Sequence, residues 1–247
     1  MANEFQPYIM VHDKASETLV EKLGLSDTII LDITQPHFNG KNIIYDKSKL
    51  TRQIVKSFKG KVNGKIPLVV YGSGSFHHYT YGLCKGLADK RSQGYSYLHY
   101  DQHSDYGSRV DDRSFNNEVG CGDFVKEILI DTHAISAFLI GPTGIYPKIE
   151  RAKVRNHENS FRKLQNLFNG GMSPEVYISI DLDVLKEGMI TDWGMGTMSL
   201  NQILDSLTKV KERKKIIGAD ICGLSRNKTT DDTSIETYRR IMGRLQE

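Results

Sequence analysis

The sequence predicts an α/β fold in which a mainly parallel sheet is covered by helices on both faces, a three-layer α/β/α arrangement. Two observations predict it: short apolar runs rich in valine and isoleucine recur along the chain, and segments with helical spacing lie between them. Strands that alternate with helices are typical of parallel sheets, because each crossover helix packs on a face of the sheet. With 247 residues and no internal repeat or linker, a single domain over 1–247 is the simplest organisation.

Six apolar runs predict the strands. Each run is short and is bounded by glycine, proline or polar residues, as buried strands are. The runs are TIILDI (28–33), PLVVYG (67–72), YSYLHYD (95–101), ISAFLIG (135–141), VYISIDLDV (176–184) and KIIGADIC (215–222). The longest polar loop is predicted over RVDDRSFNNEVGCG (109–122).

The clearest helix is predicted over residues 199–213. Ser199 and Gln202 form a capping-box pattern at its start, and apolar side chains then recur on one face. Lys211 and Arg213 lie at its end, where the helix dipole favours cations.

Composition excludes several classes of protein. The 33 basic and 30 acidic residues leave a net charge of +3 and form no basic stripe, which argues against nucleic-acid binding. No apolar run approaches bilayer length and the start does not resemble a signal peptide, so we expect a cytoplasmic protein without a membrane partner. The three cysteines show neither disulfide nor zinc-knuckle spacing and are predicted to be buried thiols: Cys84, Cys121 and Cys222.

Potential metal ligands collect where three of the predicted strands end. The carboxyl ends of parallel strands meet at one edge of the sheet, where ligands bind. Residues two apart on an extended chain point the same way, so Asp101, His103 and Asp105 can face one point, and Asp181 and Asp183 can do the same from another strand. The sets are His77 and His78 after the second run, Asp101, His103 and Asp105 at the end of the third, and Asp181 and Asp183 in the fifth.

The charges at this edge predict bound cations. Several carboxylates on one rim would repel one another unless cations lay among them. A pair of divalent ions supplies that charge, and ligands that are mostly oxygen, with one or two imidazoles, favour Mn²⁺ over Zn²⁺. The segment GSGSFHH (72–78) is a poor dinucleotide motif because His77 replaces the third glycine, so its glycines are expected to turn the backbone tightly beneath a metal.

Three motifs, in order, resemble those of the arginase and agmatinase ureohydrolases: GSFHHYTYG (74–82), DQHSD (101–105) and SIDLD (179–183). The resemblance implies an arginase-like fold, a homo-oligomer, and hydrolysis of a guanidino group to urea and an amine. It also implies two Mn²⁺ per chain, and a one-residue shift in the alignment would exchange His77 for His78. The implied metal ligands are His77, Asp101, His103, Asp105, Asp181 and Asp183, of which Asp105 and Asp183 also hydrogen-bond the nucleophile.

The sequence departs from the arginases at the residues that recognise substrate. The guanidinium-binding glutamate of that family aligns with Gly223. The family's loop that reads the substrate α-carboxylate and carries a proton-transfer histidine is replaced by YGSRVDDRSFNNEVGCGDF (106–124), which has no histidine. His78 is therefore a candidate for proton transfer, and Trp193 can offer a cation–π face. The candidate anionic partners of a guanidinium are Glu118, Asp123, Asp192 and Asp220.

Several details are similar to a divergent branch of the family that includes peptide arginases, which convert arginine within precursor peptides to ornithine. These details are GSGSFHH (72–78), CGDF (121–124), ITDWGMG (190–196) and GADICG (218–223). Loss of an α-carboxylate reader agrees with a peptidyl substrate, although agmatine also lacks that group. The alternatives are an arginase or agmatinase acting on a free small guanidino compound, a single-zinc deacetylase-like amidohydrolase, and a non-catalytic, metal-stabilised binding protein.

Overall fold

The computed structural model of the protein describes residues 4–25, 27–30, 37–39, 42–62, 64–107, 117–142, 154–157, 171–186, 191–225 and 231–247. Its strands are β1 (Phe5–Val11), β2 (Thr28–Ile30), β3 (His37–Asn39), β4 (Asn42–Asp46), β5 (Ile66–Tyr71), β6 (Tyr95–Tyr100), β7 (Glu118–Gly120), β8 (Ala134–Ile140), β9 (Val154–His157), β10 (Glu175–Asp181) and β11 (Lys215–Cys222). Its α-helices are α1 (Lys14–Leu23), α2 (Lys47–Phe58), α3 (Tyr79–Leu83), α4 (Phe124–Asp131), α5 (Leu200–Arg213) and α6 (Asp232–Gln246).

Eight of the strands form one sheet, in the order β2-β1-β5-β11-β10-β6-β8-β9. Every neighbouring pair in this sheet is parallel, as the alternation of strands and helices predicts. The strands β3, β4 and β7 form a separate, small antiparallel sheet.

Helices cover both faces of the large sheet. Successive strand residues point to opposite faces, so Leu68 and Val70 of β5 pack in the core that contains α1, α5 and α6. Val69 and Tyr71 pack in the core on the other face, which contains α2, α3 and α4. Burial of each large apolar side chain contributes about 2 kcal/mol, which explains why apolar runs mark the central strands. The predicted three-layer α/β/α fold is confirmed.

Most of the predicted elements are present. The strands β5, β6, β8, β10 and β11 coincide with predicted runs to within a few residues. The helix predicted over 199–213 is α5, and Ser199 and Gln202 form the capping box at its start. The three cysteines are buried and free, as expected.

Some boundaries differ from the predictions. The run over 176–184 does not stay extended, because the Asp181 carboxylate accepts a hydrogen bond from the backbone N–H of Asp183 and residues 182–184 form a 3₁₀ turn. The loop predicted over 109–122 contains β7, which pairs with β4, while 109–116 lie outside the described residues. The end of the first predicted run, 31–33, also lies outside them. The strand β1, which contains Pro7, is not among the predicted strands because proline weakens a strand pattern.

No helix in the described part of the chain is both long enough and apolar enough to cross a bilayer.

Candidate metal centre

Neighbouring strands bring the predicted metal ligands to one edge of the sheet. Asp101 directly follows β6 and Asp181 ends β10, and these two strands are hydrogen-bonded to each other. β5 lies two strands from β10, and the chain leaves it through a 3₁₀ turn that ends at His77. We call the resulting group the carboxylate pocket; its members are His77, His99, Asp101, His103, Asp105, Asp181 and Asp183.

His77 is buried and points one ring nitrogen at three carboxylates. Its Nδ1 lies 3.0 Å from Asp101 Oδ2, 3.3 Å from Asp105 Oδ2 and 3.5 Å from Asp181 Oδ2. Burial alone would lower the pKa of His77, but the carboxylates of Asp101 and Asp105 raise it well above its usual range. A metal ion binds the deprotonated ring, so a bound cation would compete with this proton.

A second group of ligands surrounds His103. Its Nδ1 lies 2.9 Å from Asp183 Oδ2 and 3.3 Å from Asp101 Oδ1. The His103 side chain is 42% exposed, whereas those of Asp101 and Asp183 are buried. Asp101 therefore lies between the two histidines, with one oxygen near each of them.

The carboxylates of the pocket oppose one another's ionisation. Burial, and then the charge of Asp101, raises the pKa of Asp105 to about 7 and that of Asp181 to about 6. The same two causes raise the pKa of Asp183 well above its usual range. Burial would also raise the pKa of Asp101, but the imidazoles of His103 and His77 hold it well below its usual range. Full ionisation of all four carboxylates therefore requires additional positive charge.

The residues of the pocket fit a pair of divalent cations. Although His77 Nδ1 is buried and close to carboxylates, it has no hydrogen-bond partner among the described residues, as expected of a nitrogen whose lone pair faces a cation. His77, Asp101 and Asp105 belong to one candidate ligand set, and Asp101, His103 and Asp183 form another. The ligand atoms of each set lie within 4.8 Å of one another. Two sets that share Asp101 suit two ions bound side by side.

Hydroxyl groups behind the pocket orient His77. Ser179 Oγ donates a hydrogen bond to Asp220 Oδ1 at 2.8 Å and lies 2.8 Å from His77 Nε2. Because a hydroxyl has one proton to donate, Ser179 accepts from His77 Nε2–H, which leaves Nδ1 to face the carboxylates. Asp220 is fully buried and also accepts hydrogen bonds from the hydroxyls of Tyr71, Thr80 and Tyr177.

The backbone passes unusually close to the ligands. A side chain at Gly74, in the turn before His77, would place its Cβ 2.6 Å from Asp181 Oδ2. This close approach agrees with the expected role of the glycines in 72–78. Asp105 has a φ of 44°, a left-handed conformation that aspartate tolerates better than most residues, and it directs its carboxylate back into the pocket.

His78 is buried in a different environment. It belongs to an aromatic cluster formed by His12, Tyr45, Phe76, His78 and Tyr79, in which its ring stacks on Tyr45 at 5.0 Å. Burial, followed by the charges of His12 and His77, lowers the pKa of His78 to about 3. No described contact joins His78 to the carboxylates, so its position does not favour the role in proton transfer that the sequence suggests.

The other predicted substrate residues lie at different distances from the pocket. Trp193 lies beside His103, with ring centres 6.3 Å apart, and its carbonyl accepts a hydrogen bond from Gln102 Nε2 at 2.6 Å. Asp192 is exposed and accepts a hydrogen bond from the Ser225 hydroxyl at 2.5 Å. Trp193 thus lies on the side of the pocket where His103 is exposed, and Asp192 precedes it in the chain.

Two further candidates belong to the small sheet and its connection to α4. Glu118 lies on β7 opposite Asp46. Asp123 accepts a hydrogen bond from the backbone N–H of Gly120 at 2.8 Å, and its Cβ would lie 3.7 Å from a Cβ at Gly107. Asp123 is therefore near the loop that follows Asp105, whereas no described contact joins Glu118 to the pocket.

Comparison with known proteins identifies the family. A family model described as the Arginase family matches residues 8–245. The chain belongs to the arginase family. Among curated proteins, no sequence matches significantly.

Solved structures of arginases and agmatinases share the fold of this arginase-family chain. An arginase from Bacillus caldovelox is 14% identical, with a TM-score of 0.72 over 99% of this chain and 98% of the other. A hypothetical agmatinase from Burkholderia thailandensis is 15% identical, with a TM-score of 0.69 over 98% and 84% of the two chains. A putative agmatinase from Clostridium difficile is 19% identical, with a TM-score of 0.65 over 99% and 97%.

Membership of the arginase family makes the chain a metal-dependent hydrolase of linear amidine C–N bonds. The resemblance noted in the sequence aligns Gly223 with the family's guanidinium-binding glutamate, and the structure leaves no room for a side chain there. Gly223 has a φ of +114°, and a Cβ there would lie 2.3 Å from Asp181 Oδ1 and 2.4 Å from the backbone nitrogen of Leu182. A side chain at this position of the arginase-family chain would collide with the backbone beside Asp181.

Two residues in or beside the carboxylate pocket were not predicted from the sequence. His99 lies in β6, two residues before Asp101, and the alternation of strand side chains could have indicated that it faces the same way. Cys222 ends β11, and its Sγ donates to Asp181 Oδ2 at 3.5 Å. Burial raises the pKa of Cys222 well above its usual range, which keeps it a thiol, and its sequence context carried no signal of this contact.

Proposed function

We propose that this protein hydrolyses the guanidino group of arginine within a peptide, releasing urea and leaving ornithine, and that it uses two Mn²⁺ bound in the carboxylate pocket. The metal ligands in this proposal are the six residues predicted from the sequence: His77, Asp101, His103, Asp105, Asp181 and Asp183.

One observation carries the proposal: two ligand sets overlap at Asp101. His77 lies near Asp101 Oδ2, and His103 lies near Asp101 Oδ1, so a single carboxylate can serve two ions. A single-zinc amidohydrolase would need only two aspartates and one histidine. Most of the remaining ligands are carboxylates, which supports Mn²⁺.

The chemistry follows from the charges of the pocket. Two divalent ions held by these residues would lower the pKa of a bound water molecule and supply a nucleophile at neutral pH. In this proposal Asp105 and Asp183 would hold that water by a hydrogen bond and receive its proton. The water oxygen bonds to the guanidino carbon, the bond from that carbon to the leaving nitrogen breaks, and the proton passes to that nitrogen. The products are urea and an amine.

Recognition of the guanidinium is assigned to the exposed side of the pocket. Asp192 supplies a carboxylate there, and Trp193 supplies an aromatic face beside His103. Asp220 is less suited because it is fully buried and already accepts hydrogen bonds from four hydroxyl groups. The exposure of Asp192, and the replacement of the family's α-carboxylate-reading loop by 106–124, support a substrate that extends beyond a single amino acid.

Urea release and mass spectrometry test the proposal. The protein, loaded with Mn²⁺, is incubated separately with an arginine-containing peptide, free arginine and agmatine, and products are examined for a loss of CH₂N₂. We expect this loss from the peptide with the wild type and not with Asp101→Asn. If CH₂N₂ is lost only from free arginine or agmatine, the substrate is a small guanidino compound and not a peptide.

Two metal measurements separate the remaining alternatives. A content of one zinc ion per chain, together with release of acetate from an acetylated amine, would favour the deacetylase-like amidohydrolase. Two bound ions without turnover of any guanidino compound would favour a binding protein. The expected cytoplasmic location and homo-oligomeric state are part of the proposal and are tested by cell fractionation and light scattering.

A further inference from the structure

A third histidine faces the carboxylate pocket from within the sheet. His99 is fully buried in β6, and its Nε2 lies 3.4 Å from Asp101 Oδ2 and 3.9 Å from Asp105 Oδ2. Despite these carboxylates, Nε2 has no hydrogen-bond partner among the residues that the structure describes. A buried ring nitrogen aimed at carboxylate oxygens without bonding to them is expected where a cation lies between the groups.

The other nitrogen of the His99 ring has a partner that suits a metal ligand. Nδ1 lies 3.0 Å from the hydroxyl oxygen of Tyr97. When Nδ1 carries the proton and donates it to Tyr97, the lone pair of Nε2 points towards Asp101 and Asp105. Histidines that bind metals commonly donate their second nitrogen in this way.

The packing around His99 holds the ring in this orientation. It stacks on His77, with ring centres 5.1 Å apart and planes 20° apart. The Phe124 ring of α4 packs on both imidazoles, and its centre lies 4.7 Å from the centre of the His77 ring and 5.7 Å from that of His99. Candidate ligand atoms of His77, His99, Asp101 and Asp105 all lie within 4.8 Å of one another.

We propose that His99 is an additional ligand of the ion held by His77, Asp101 and Asp105, and that it raises the affinity of this site for Co²⁺ relative to Mn²⁺. An added imidazole favours the later first-row ions, whereas the site at His103 keeps mainly carboxylate ligands. The inference rests on the metal centre of the proposed function and adds a ligand to it. It is compatible with Mn²⁺ as the resident ion, because metal availability also decides occupancy in cells.

Calorimetric titration of the metal-free full chain with Co²⁺, and separately with Mn²⁺, tests the inference without substrate. For His99→Leu we expect the Co²⁺ affinity of one binding event to fall at least about tenfold, and more than the Mn²⁺ affinity falls. His78→Leu is the matched control, since it removes an equally buried imidazole whose ring stacks on Tyr45, and it should leave both affinities unchanged. Equal affinities in the wild type and His99→Leu would overturn the inference.

A crystal structure of the wild type with Co²⁺ provides a test that does not depend on the stability of a variant. We expect His99 Nε2 within about 2.3 Å of one ion, close to ordinary metal–imidazole distances. A separation of more than about 3 Å from every ion, beyond any metal–nitrogen bond, would overturn the inference. The proposed function fails separately, if the wild type binds metal through His99 but releases no urea from any guanidino substrate.

Discussion

His77 and His78 are neighbours in the chain, but they belong to two different regions of the molecule. Both imidazoles are buried. In the carboxylate pocket, Asp101 and Asp105 raise the pKa of His77 well above its usual range although burial opposes this. In the aromatic cluster, burial, reinforced by the charges of His12 and His77, lowers the pKa of His78 to about 3.

The comparison shows that burial alone does not decide what a histidine does. Water is excluded from both rings, so the partners that the fold supplies determine whether each ring carries charge or offers a lone pair. Carboxylates surround His77, whereas Tyr45 and Tyr79 pack on His78. The carboxylate pocket thus favours a bound cation, and the aromatic cluster favours a neutral imidazole.

The largest expected effect is loss of metal from the pocket. His77→Leu removes the ring nitrogen that lies close to three carboxylates. We therefore expect the variant to bind fewer ions than the wild type and its rate of urea release to fall about a thousandfold or more. His78→Leu, which changes the neighbouring buried imidazole, should retain the wild-type metal content. Elemental analysis after gel filtration measures both. Equal metal contents in the two variants would remove the distinction between the regions.

The next largest effect, on stability and metal binding, is expected at a glycine whose backbone lies against the Asp181 carboxylate. Gly223→Ala would force a Cβ against Asp181 Oδ1 and strain a residue with a φ of +114°. We expect a loss of about 3 kcal/mol in the free energy of unfolding, together with weaker metal binding.

The matched control for this substitution is Gly243→Ala in α6, where the new Cβ would meet no atom of the described residues within 4 Å apart from the adjacent helix backbone. It should stabilise the protein by up to about 1 kcal/mol, because alanine favours helix more than glycine does. Urea denaturation measures both variants. Similar stabilities for the two would show that the close approach at Gly223 is not a constraint.

A smaller effect is expected from the hydroxyl group that supports His77. Ser179→Ala removes the hydrogen-bond acceptor of His77 Nε2 and one donor to buried Asp220. We expect metal affinity to fall about tenfold to a hundredfold, as for other residues that orient metal-bound histidines.

Ser206→Ala is the control for this change, since Ser206 is also fully buried, and its hydroxyl is hydrogen-bonded to the Tyr100 hydroxyl at 2.7 Å instead of to His77. Calorimetric titration with Mn²⁺ compares the two variants. If Ser206→Ala weakened metal binding as much as Ser179→Ala, the effect would reflect general destabilisation.

The smallest expected effect near neutral pH concerns the pH dependence of stability in the aromatic cluster. The pKa of His78 is about 3 in the folded chain and 6.5 in its ordinary state, so the unfolded chain binds an extra proton between these values. His78 therefore lowers stability as the pH falls below 6.5, by up to about 1.4 kcal/mol per pH unit. His78→Phe should remove this part of the slope.

Denaturation of the metal-free wild type and His78→Phe at several pH values measures the difference. Above about pH 7 the ring is neutral in both states, so the difference between the two proteins should become independent of pH there. Parallel stability curves below pH 6.5 would mean that the His78 ring takes up a proton in the folded protein.

The sequence by itself determined the features that depend on local spacing. Apolar runs predicted the central strands because buried parallel strands need apolar side chains on both faces. Alternation along the chain grouped Asp101 with Asp105, and Asp181 with Asp183, and the rule for carboxyl ends of parallel strands placed both groups at one edge.

Only the tertiary structure decided the features that depend on contacts between distant segments. It directed His77 rather than His78 to the carboxylates, because Tyr45 from β4 stacks on the second ring. It also surrounded the buried Asp220 carboxylate with four hydroxyl groups that donate hydrogen bonds to it, and it placed His99 Nε2 near Asp101. Spacing along the chain predicts the direction of neighbouring side chains, but the partners of a buried group come from strands and helices far away in sequence.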